Sequence, residues 1–296
     1  MKRHLLLLPL LLLTTAAGAQ NVPADGWIAW NVPSPSDVRI GCWDHGNGFS
    51  IQDDKPGSGE MIVVARMKRG EITTLRAYDR DCAPRSDAQK VTFDVNASLD
   101  FLTKHLEDPA DDHIVAVIAM HESSRVEQML ERFAGRSYRN GVRGQAIFWL
   151  GQRGGDAGLR YLRELVRGND NLELRKKAIF GISQSDAAGA QQELIDLARN
   201  HRDSEVRRQA IFWLAQKAGS KAAAELRRAV DEDPDDDVRE HAVFAISQLP
   251  KDRSIPLLID LARNHKSREV RKKAIFWLGQ TNDPRALDFL EEILTK

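Results

Sequence analysis

The sequence is short of cysteine, of net charge and, past its first residues, of long apolar runs, and each shortage removes a class of reading. Two cysteines, Cys42 and Cys82, in 296 residues are too few for a fold built on disulfides. In an oxidising compartment they most simply form one bridge, which would stabilise the surrounding segment by about 4 kcal/mol in the chain-entropy model. The alternative, a reactive pair, lacks the C-x-x-C spacing that tunes a redox site. Lys plus Arg number 43 and Asp plus Glu 43, for a formal net charge of zero. A nucleic-acid partner asks for a basic excess to neutralise phosphates, and there is none. A glycine-rich phosphate loop, H-E-x-x-H and G-x-S-x-G are all missing, so the common nucleotide, zinc and serine-hydrolase sites lack their residues.

The one long apolar run opens the chain. Lys2 and Arg3 precede a leucine-rich stretch at 5–13, and Ala17-Gly18-Ala19 stands before Gln20. This is the pattern of a secretory signal peptide over 1–19 with an A-x-A cleavage site. It predicts export to the periplasm or the medium. No cysteine follows the site to accept a lipid, and no later window approaches the roughly 18 apolar residues of a membrane span.

What the sequence has in abundance is repetition. AIFWLGQ at 146–152 returns as AIFGISQ at 178, AIFWLAQ at 210, AVFAISQ at 242 and AIFWLGQ at 274. The period is 32 residues without slippage, the mark of a repeat architecture. A hydrophobic residue and an arginine precede every copy (Val142-Arg143, Leu174-Arg175, Val206-Arg207, Val238-Arg239, Val270-Arg271). Each copy is followed by a second apolar helical pattern aligned on Leu162, Leu194, Leu226, Leu258 and Leu290. One unit is therefore two antiparallel helices. Asn171, Asp203, Asp235 and Ser267 stand where the second helices begin and are good N-cap types, with Glu173, Glu205, Asp237 and Glu269 two residues on. A longer period runs through the same region: the residue after Phe alternates Trp149, Gly181, Trp213, Ala245, Trp277. Large against small predicts that each Trp packs over the Gly or Ala of its neighbour, making a 64-residue pair the packing unit.

Before the repeats the period is 2. VRIGCW at 38–43, GFSIQ at 48–52, MIVVARM at 61–67, ITTLRAY at 72–78 and VTFDV at 91–95 read as short strands of an antiparallel β unit over 20–95, with a hairpin turn at Lys68-Arg69-Gly70-Glu71. A solenoid over 96–296 follows, opening with a degenerate capping repeat at 96–121, in which Asn96 caps the first helix, Pro109 ends it and HIVAVIAM at 113–120 fills the AIFWL column. Regular repeats run from about 122.

Repeats of the form V-R-x-x-A-hydrophobic-x-x-L-G, joined to a helix introduced by Asp283-Pro284-Arg285-Ala286, resemble HEAT-like repeats of the phycobilisome lyase type. The resemblance is clear over about 140–296 and weak over 96–139. It implies a mainly α chain, a right-handed α-solenoid of HEAT-like helix pairs, and protein interaction as the usual role; the disulfide-linked β unit lies outside it.

Stepping 100° per residue around the second helix puts Val142, Ala146, Trp149 and Leu150 on a core arc, with Phe148 and Gln152 nearly opposite. Phe148, Phe180, Phe212, Phe244 and Phe276 then form a column beside Gln152, Gln184, Gln216, Gln248 and Gln280 on the concave face of the stack, and these ten are the candidate partner-binding residues. Two readings of the Phe column stay open, an exposed interaction ladder or rings buried between neighbouring helices. The arginine column is expected to pair with acidic residues and hold repeats in register. The DEDPDDD run at 231–237 has oxygen ligands but no EF-hand spacing, so a solvated turn is the expectation. His201 and His265 recur 64 residues apart at first-helix ends, where a helix dipole suits a histidine.

HEAT-like repeats also occur in bilin lyases and in deoxyhypusine hydroxylase, whose di-iron site resembles paired His-Glu motifs. This chain has a single pair, His121-Glu122, too few for that site. The sequence therefore reads as a non-catalytic, exported scaffold that binds another protein or an extended peptide segment, with no cofactor, no metal, no nucleic acid and no membrane insertion of the mature chain; a HEAT-like enzyme is the alternative.

Overall fold

The computed structural model describes residues 22–37, 39–42, 51–52, 56–82, 87–109, 111–168, 171–217 and 220–295. The signal peptide read at 1–19 lies outside the described residues, as does part of the strand read at 48–52. The chain divides into two compact units, one running to Phe101 and including Glu107–Ala110, the other made of Leu102–Leu106 and Asp111–Lys296. Among the described residues no helix is long and apolar enough to cross a membrane.

The first unit is built on three strands, β1 (Gly26–Pro33), β4 (Glu60–Lys68) and β5 (Glu71–Asp79), with the two-residue strands β2 (Arg39–Ile40), β3 (Ile51–Gln52) and β6 (Gln89–Lys90). The larger sheet has the order β5-β4-β1-β6, antiparallel except for the brief β1–β6 pairing. β4 and β5 meet at Arg69 and Gly70, both at positive φ, the backbone a two-residue hairpin turn requires. Asp25 accepts from the Arg69 amide at 3.0 Å and fixes that turn. The central strand β1 was absent from the runs read in the sequence, and VTFDV is not a strand beyond residue 90. Instead Phe93 and Phe101 close edge-on around Trp30 of β1, with ring centroids 5.3 and 5.8 Å away. The Trp30 indole N–H donates to Ser98 at 2.8 Å, so this buried polar atom is satisfied. Ser98 lies in α1 (Val95–Lys104), whose cap is Asp94, accepting from the Ala97 amide at 2.7 Å, rather than Asn96. Cys42 and Cys82 are bonded, with Cα atoms 5.3 Å apart.

The second unit is an α-solenoid of two helix rows. One row holds α3 (Arg125–Ala134), α5 (Gly155–Arg167), α7 (Ala190–Asn200), α9 (Ser220–Glu232), α11 (Lys251–Asn264) and α13 (Pro284–Leu294). The other holds α2 (Asp111–Ala119), α4 (Asn140–Arg153), α6 (Leu172–Gln184), α8 (Ser204–Gln216), α10 (Asp236–Ser247) and α12 (Arg268–Gly279). The second helices start where their caps dictate: Asn171, Asp203, Asp235 and Ser267 each accept a first-turn amide. Between the rows, Val142, Ala146, Ile147 and Leu150 and their counterparts in α6, α8 and α10 are buried, facing Leu162, Leu194, Leu226 and Leu258.

The alternation of Trp with Gly or Ala has a different cause from the one read in the sequence. Gly181 does not receive a Trp ring. A Cβ on Gly151 would come within 2.5 Å of the Gly181 Cα, so α4 and α6 touch backbone to backbone there, with Leu162 closing the gap. The Trp rings lie one residue over: Trp213 rests on Phe180 of the preceding second helix at 4.7 Å, and Trp277 on Phe244 at 5.1 Å. Ring on ring, not ring on glycine, is the 64-residue repeat of the packing.

Candidate functional site

The phenylalanine column occupies one side of the second-helix row. Phe148, Phe180, Phe212 and Phe244 are half-buried, and Phe276 is 54 % exposed. Neither reading of these rings holds in pure form. Each is partly open to solvent and also touches a neighbouring ring: Phe148 stacks on Phe180 at 6.1 Å, Phe212 meets Trp213 at 5.0 Å, and Phe276 meets Trp277 at 5.1 Å. With the two Trp–Phe contacts between helices, the rings form a preorganised aromatic floor whose side chains are held by one another. His241 extends this floor, 5.5 Å from Phe244. Desolvation, and after it the nearby Arg208, lowers its pKa, so the imidazole is neutral there.

The glutamine column lies beside the rings and splits with the 64-residue period. The Gln184 amide donates to Ser183 at 3.1 Å, and that hydroxyl donates to the Phe180 carbonyl at 2.7 Å. Gln248, Ser247 and Phe244 repeat the arrangement at 3.0 and 2.6 Å. Where Gly151, Ala215 or Gly279 replaces the serine, Gln152, Gln216 and Gln280 have no such hydroxyl beside them, and like Gln248 they are exposed. The column thus presents amides of two kinds, anchored and open, that can both donate to and accept from a peptide backbone.

Glu173, Glu205, Glu240 and Glu269, near this face, are engaged in ion pairs. Lys176 reaches Glu205 at 3.2 Å and Glu173 at 3.4 Å, Arg208 reaches Glu205 at 3.3 Å, Lys272 reaches Glu269 at 2.9 Å and Lys273 reaches Glu240 at 3.0 Å. The hydrogen bond to Glu205 raises the Lys176 ammonium above its ordinary range. Beside the rings the face is apolar and amide-rich, and these charges pair with one another within the wall.

Other residues singled out in the sequence turn out to be structural. Most of the arginine column ties second helices to the carbonyls that end first helices: Arg143 to Ala134 at 3.0 Å, Arg207 to His201 at 2.9 Å, Arg271 to His265 at 2.7 Å, and Arg239 to Asp233. Those are the carbonyls a helix end leaves unpaired. Pairing with carboxylates of the next unit occurs as well, at Arg175–Asp203 (2.8 Å) and in the two-pronged Arg207–Asp233 pair (2.9 Å for each prong). The 231–237 run is spent the same way, Asp231 on Arg227, Asp233 on Arg207 and Asp235 on the α10 cap. His201 and His265 each accept at Nδ1 from an amide of the following turn, Asp203 at 3.1 Å and Ser267 at 3.0 Å, and so close the loop after their first helix. Desolvation lowers the His201 pKa.

His121 is fully buried, its Nδ1 bonded to the Val117 carbonyl at 2.8 Å, and desolvation takes its pKa down to about 4. Arg153 donates to the carbonyls of Ala119 and His121 beside it, while Glu122 is exposed. The pair is parted by burial. Among the described residues no group of three His, Cys, Asp or Glu side chains is placed to hold a metal ion.

Sequence reasoning missed one ladder. Along the first-helix row an arginine of each helix reaches a carboxylate of the next: Arg163–Glu193 (2.6 Å), Arg199–Glu225 (2.7 Å), Arg227–Asp260 and Arg263–Glu292 (2.6 Å). Its partners stand at changing separations in sequence, so a fixed 32-residue column does not reveal it.

A family model described as HEAT repeats matches residues 126–215, 191–264 and 223–296, together more than half of the chain. No curated protein matches it. Among solved structures, human deoxyhypusine hydroxylase in complex with glycerol is similar at 17 % identity and a TM-score of 0.30, covering 66 % of this chain and 77 % of that one. YibA of Escherichia coli is similar at 22 % identity and a TM-score of 0.39, covering 62 % and 67 %. Cex1p is similar at 12 % identity and a TM-score of 0.43, covering 68 % and 45 %. Likenesses this distant carry nothing about function.

Proposed function

The chain belongs to the HEAT-repeat family, and on that premise we propose that it is a non-catalytic scaffold, exported to the periplasm or the medium, that binds an extended segment of another protein along its second-helix row. One observation carries this reading: five successive second helices place a Phe at the same position, each ring partly open to solvent, and a Gln four residues later. Neighbouring helices pack roughly 8–10 Å apart, and an extended chain rises about 3.3 Å per residue. Each repeat would therefore meet about three ligand residues, with apolar side chains between ring edges and backbone groups on the amides. The Cys42–Cys82 bond and the leader-like first residues support an oxidising, extracytoplasmic setting. The enzymatic alternative would need carboxylates and imidazoles gathered from several repeats, and those columns hold Phe, Gln and paired charges instead.

Selection of a random 12-residue peptide library on the purified protein tests the reading. Enriched peptides should carry apolar residues at about every third position and should lose binding when Phe212 and Phe276 are both changed to Ser. Those two rings rest on no Trp of another helix, so the melting temperature should hold. Failure to enrich any peptide, or binding indifferent to both changes, would end the proposal.

A further inference from the structure

Five cations stand one turn before the phenylalanine column: Lys176, Lys177, Arg208, Lys272 and Lys273. Four of them have carboxylates, since Lys176 and Arg208 share Glu205, Lys272 holds Glu269 and Lys273 holds Glu240. Lys177 has none. It is exposed, and among the described residues it makes no ion pair and no hydrogen bond. Its own helix offers Glu173 one turn back, but that carboxylate is turned to Lys176 at 3.4 Å. The helix it leans on, α4, contains neither Asp nor Glu.

The period of the chain shows what the lysine lacks. Lys177 stands three repeats before Lys273, and Gly144 three repeats before Glu240. Between α10 and α12, Lys273 reaches back to Glu240 at 3.0 Å. Between α4 and α6 the same reach carries Lys177 back over Gly144: a Cβ on that glycine would lie 3.0 Å from the lysine Nζ and 3.1 Å from its Cδ and Cε. Gly144 is buried there, and no side chain rises from it to meet the ammonium. The cation is in the pairing position, and a hydrogen holds the place of the acid.

This place is also the first step of the aromatic floor. Phe148 lies one turn beyond Gly144 and Phe180 one turn beyond Lys177, and the two rings stack at 6.1 Å. A segment lying on these rings covers the lysine as well. Covering it without a partner strips water from the ammonium and returns nothing, whereas a carboxylate supplies a charge-assisted hydrogen bond.

We infer that an Asp or Glu side chain of the bound segment pairs with the Lys177 ammonium above Gly144, as Glu240 pairs with Lys273; this rests on the peptide-binding reading and names its selecting charge. Because Phe148 opens the column, the acid stands at one end of the ligand's apolar series. At a rise of about 3.3 Å per residue it lies within about three residues of the last apolar anchor.

Parallel selections of one random 12-residue peptide library on the wild type and on Lys177→Glu test it, with circular dichroism melts confirming that both are folded. The wild type should enrich an apolar series with Asp or Glu at one end, and Lys177→Glu the same series with Lys or Arg in that place. A selected peptide, synthesised with an amidated C-terminus, should bind about tenfold more weakly when its acid is changed to the amide, and equally so when the protein carries Lys177→Gln. The two changes together should cost no more than either alone. Gly144→Glu, which restores the internal partner, should weaken the peptide by a similar factor. Apolar series enriched without the acid, enrichment unchanged by Lys177→Glu, binding untouched by Lys177→Gln or Gly144→Glu, or a lysine dependence that amidating the C-terminus removes would each overturn this inference and leave the peptide-binding face standing. Enrichment of no peptide by either protein would overturn both.

Discussion

The two rows of the solenoid hold their neighbours by different physics. Along the first-helix row, successive helices are joined by arginine–carboxylate pairs at the surface, the Arg199–Glu225 and Arg263–Glu292 pairs among them. Along the second-helix row they are joined by rings and bare backbone, Phe180 under Trp213, Phe244 under Trp277 and Gly151 against Gly181. Exposed ion pairs contribute little, often under about 1 kcal/mol each, whereas buried apolar contacts account for most of the stability. The second row combines packing with a partly open aromatic surface, Phe180 and Phe244 lying between helices and Phe276 being 54 % exposed.

That contrast can be broken at its strongest points first. Arg207 and Asp233 are 8 % and 4 % exposed, an ion pair taken out of water between the rows. Asp233→Asn should strand the guanidinium and cost about 3–5 kcal/mol in a denaturant melt; a loss under about 1 kcal/mol would place the pair with the surface ladder. Gly181→Trp should cost about 3 kcal/mol or more, because the backbone of α4 already fills the space a side chain would need.

Burial of a histidine also sets a pH limit. His121, in the turn that follows α2, is neutral when folded, with a pKa of about 4 against an ordinary value of 6.5. Between those values the unfolded chain binds the proton and the folded one does not. Stability is thus whole above about pH 6.5 and falls as pH drops towards 4, by about 3 kcal/mol at the end of the window. His121→Asn should flatten this dependence of the melting temperature; an unchanged slope would mean that another group sets it.

Smaller effects sharpen the comparison. Trp213→Ala removes a half-buried ring and should cost about 2 kcal/mol, less than the 3–5 kcal/mol of a fully buried one. Arg199→Ala should cost less than about 1 kcal/mol. If Arg199→Ala proved the more damaging of the two, the assignment of stability to the second row would be reversed.

Local features were legible in the sequence. The caps Asn171, Asp203, Asp235 and Ser267 were readable because a cap acts within its own turn, and the helix rows because a 32-residue period admits few other folds. Long-range features were not. The partner of each Trp was misread, since periodicity says which residues share a row but not which touch across it. The Gly151–Gly181 contact needs the approach of two backbones, and the role of His201 needs the amide of Asp203 two residues on, a geometry no pattern encodes. The strand β1 escaped because GWIAWNVP alternates poorly, with Ile28, Ala29 and Trp30 buried in succession. The Phe column was placed on its row from the helical period alone, while the division of each ring between a neighbour and solvent became visible only with the Trp contacts in place.

The central claim is that ligand lies on the second row and not on the first. Site-specific photocrosslinking tests it most directly, with p-benzoylphenylalanine placed at 212 and 276 on the second row and, in parallel, at 192 and 224 on the first, in protein made in its native host. The account expects crosslinked product from 212 and 276, competed by a selected peptide, and none from 192 or 224. Crosslinks from 192 or 224 with silence at 212 and 276 would contradict it.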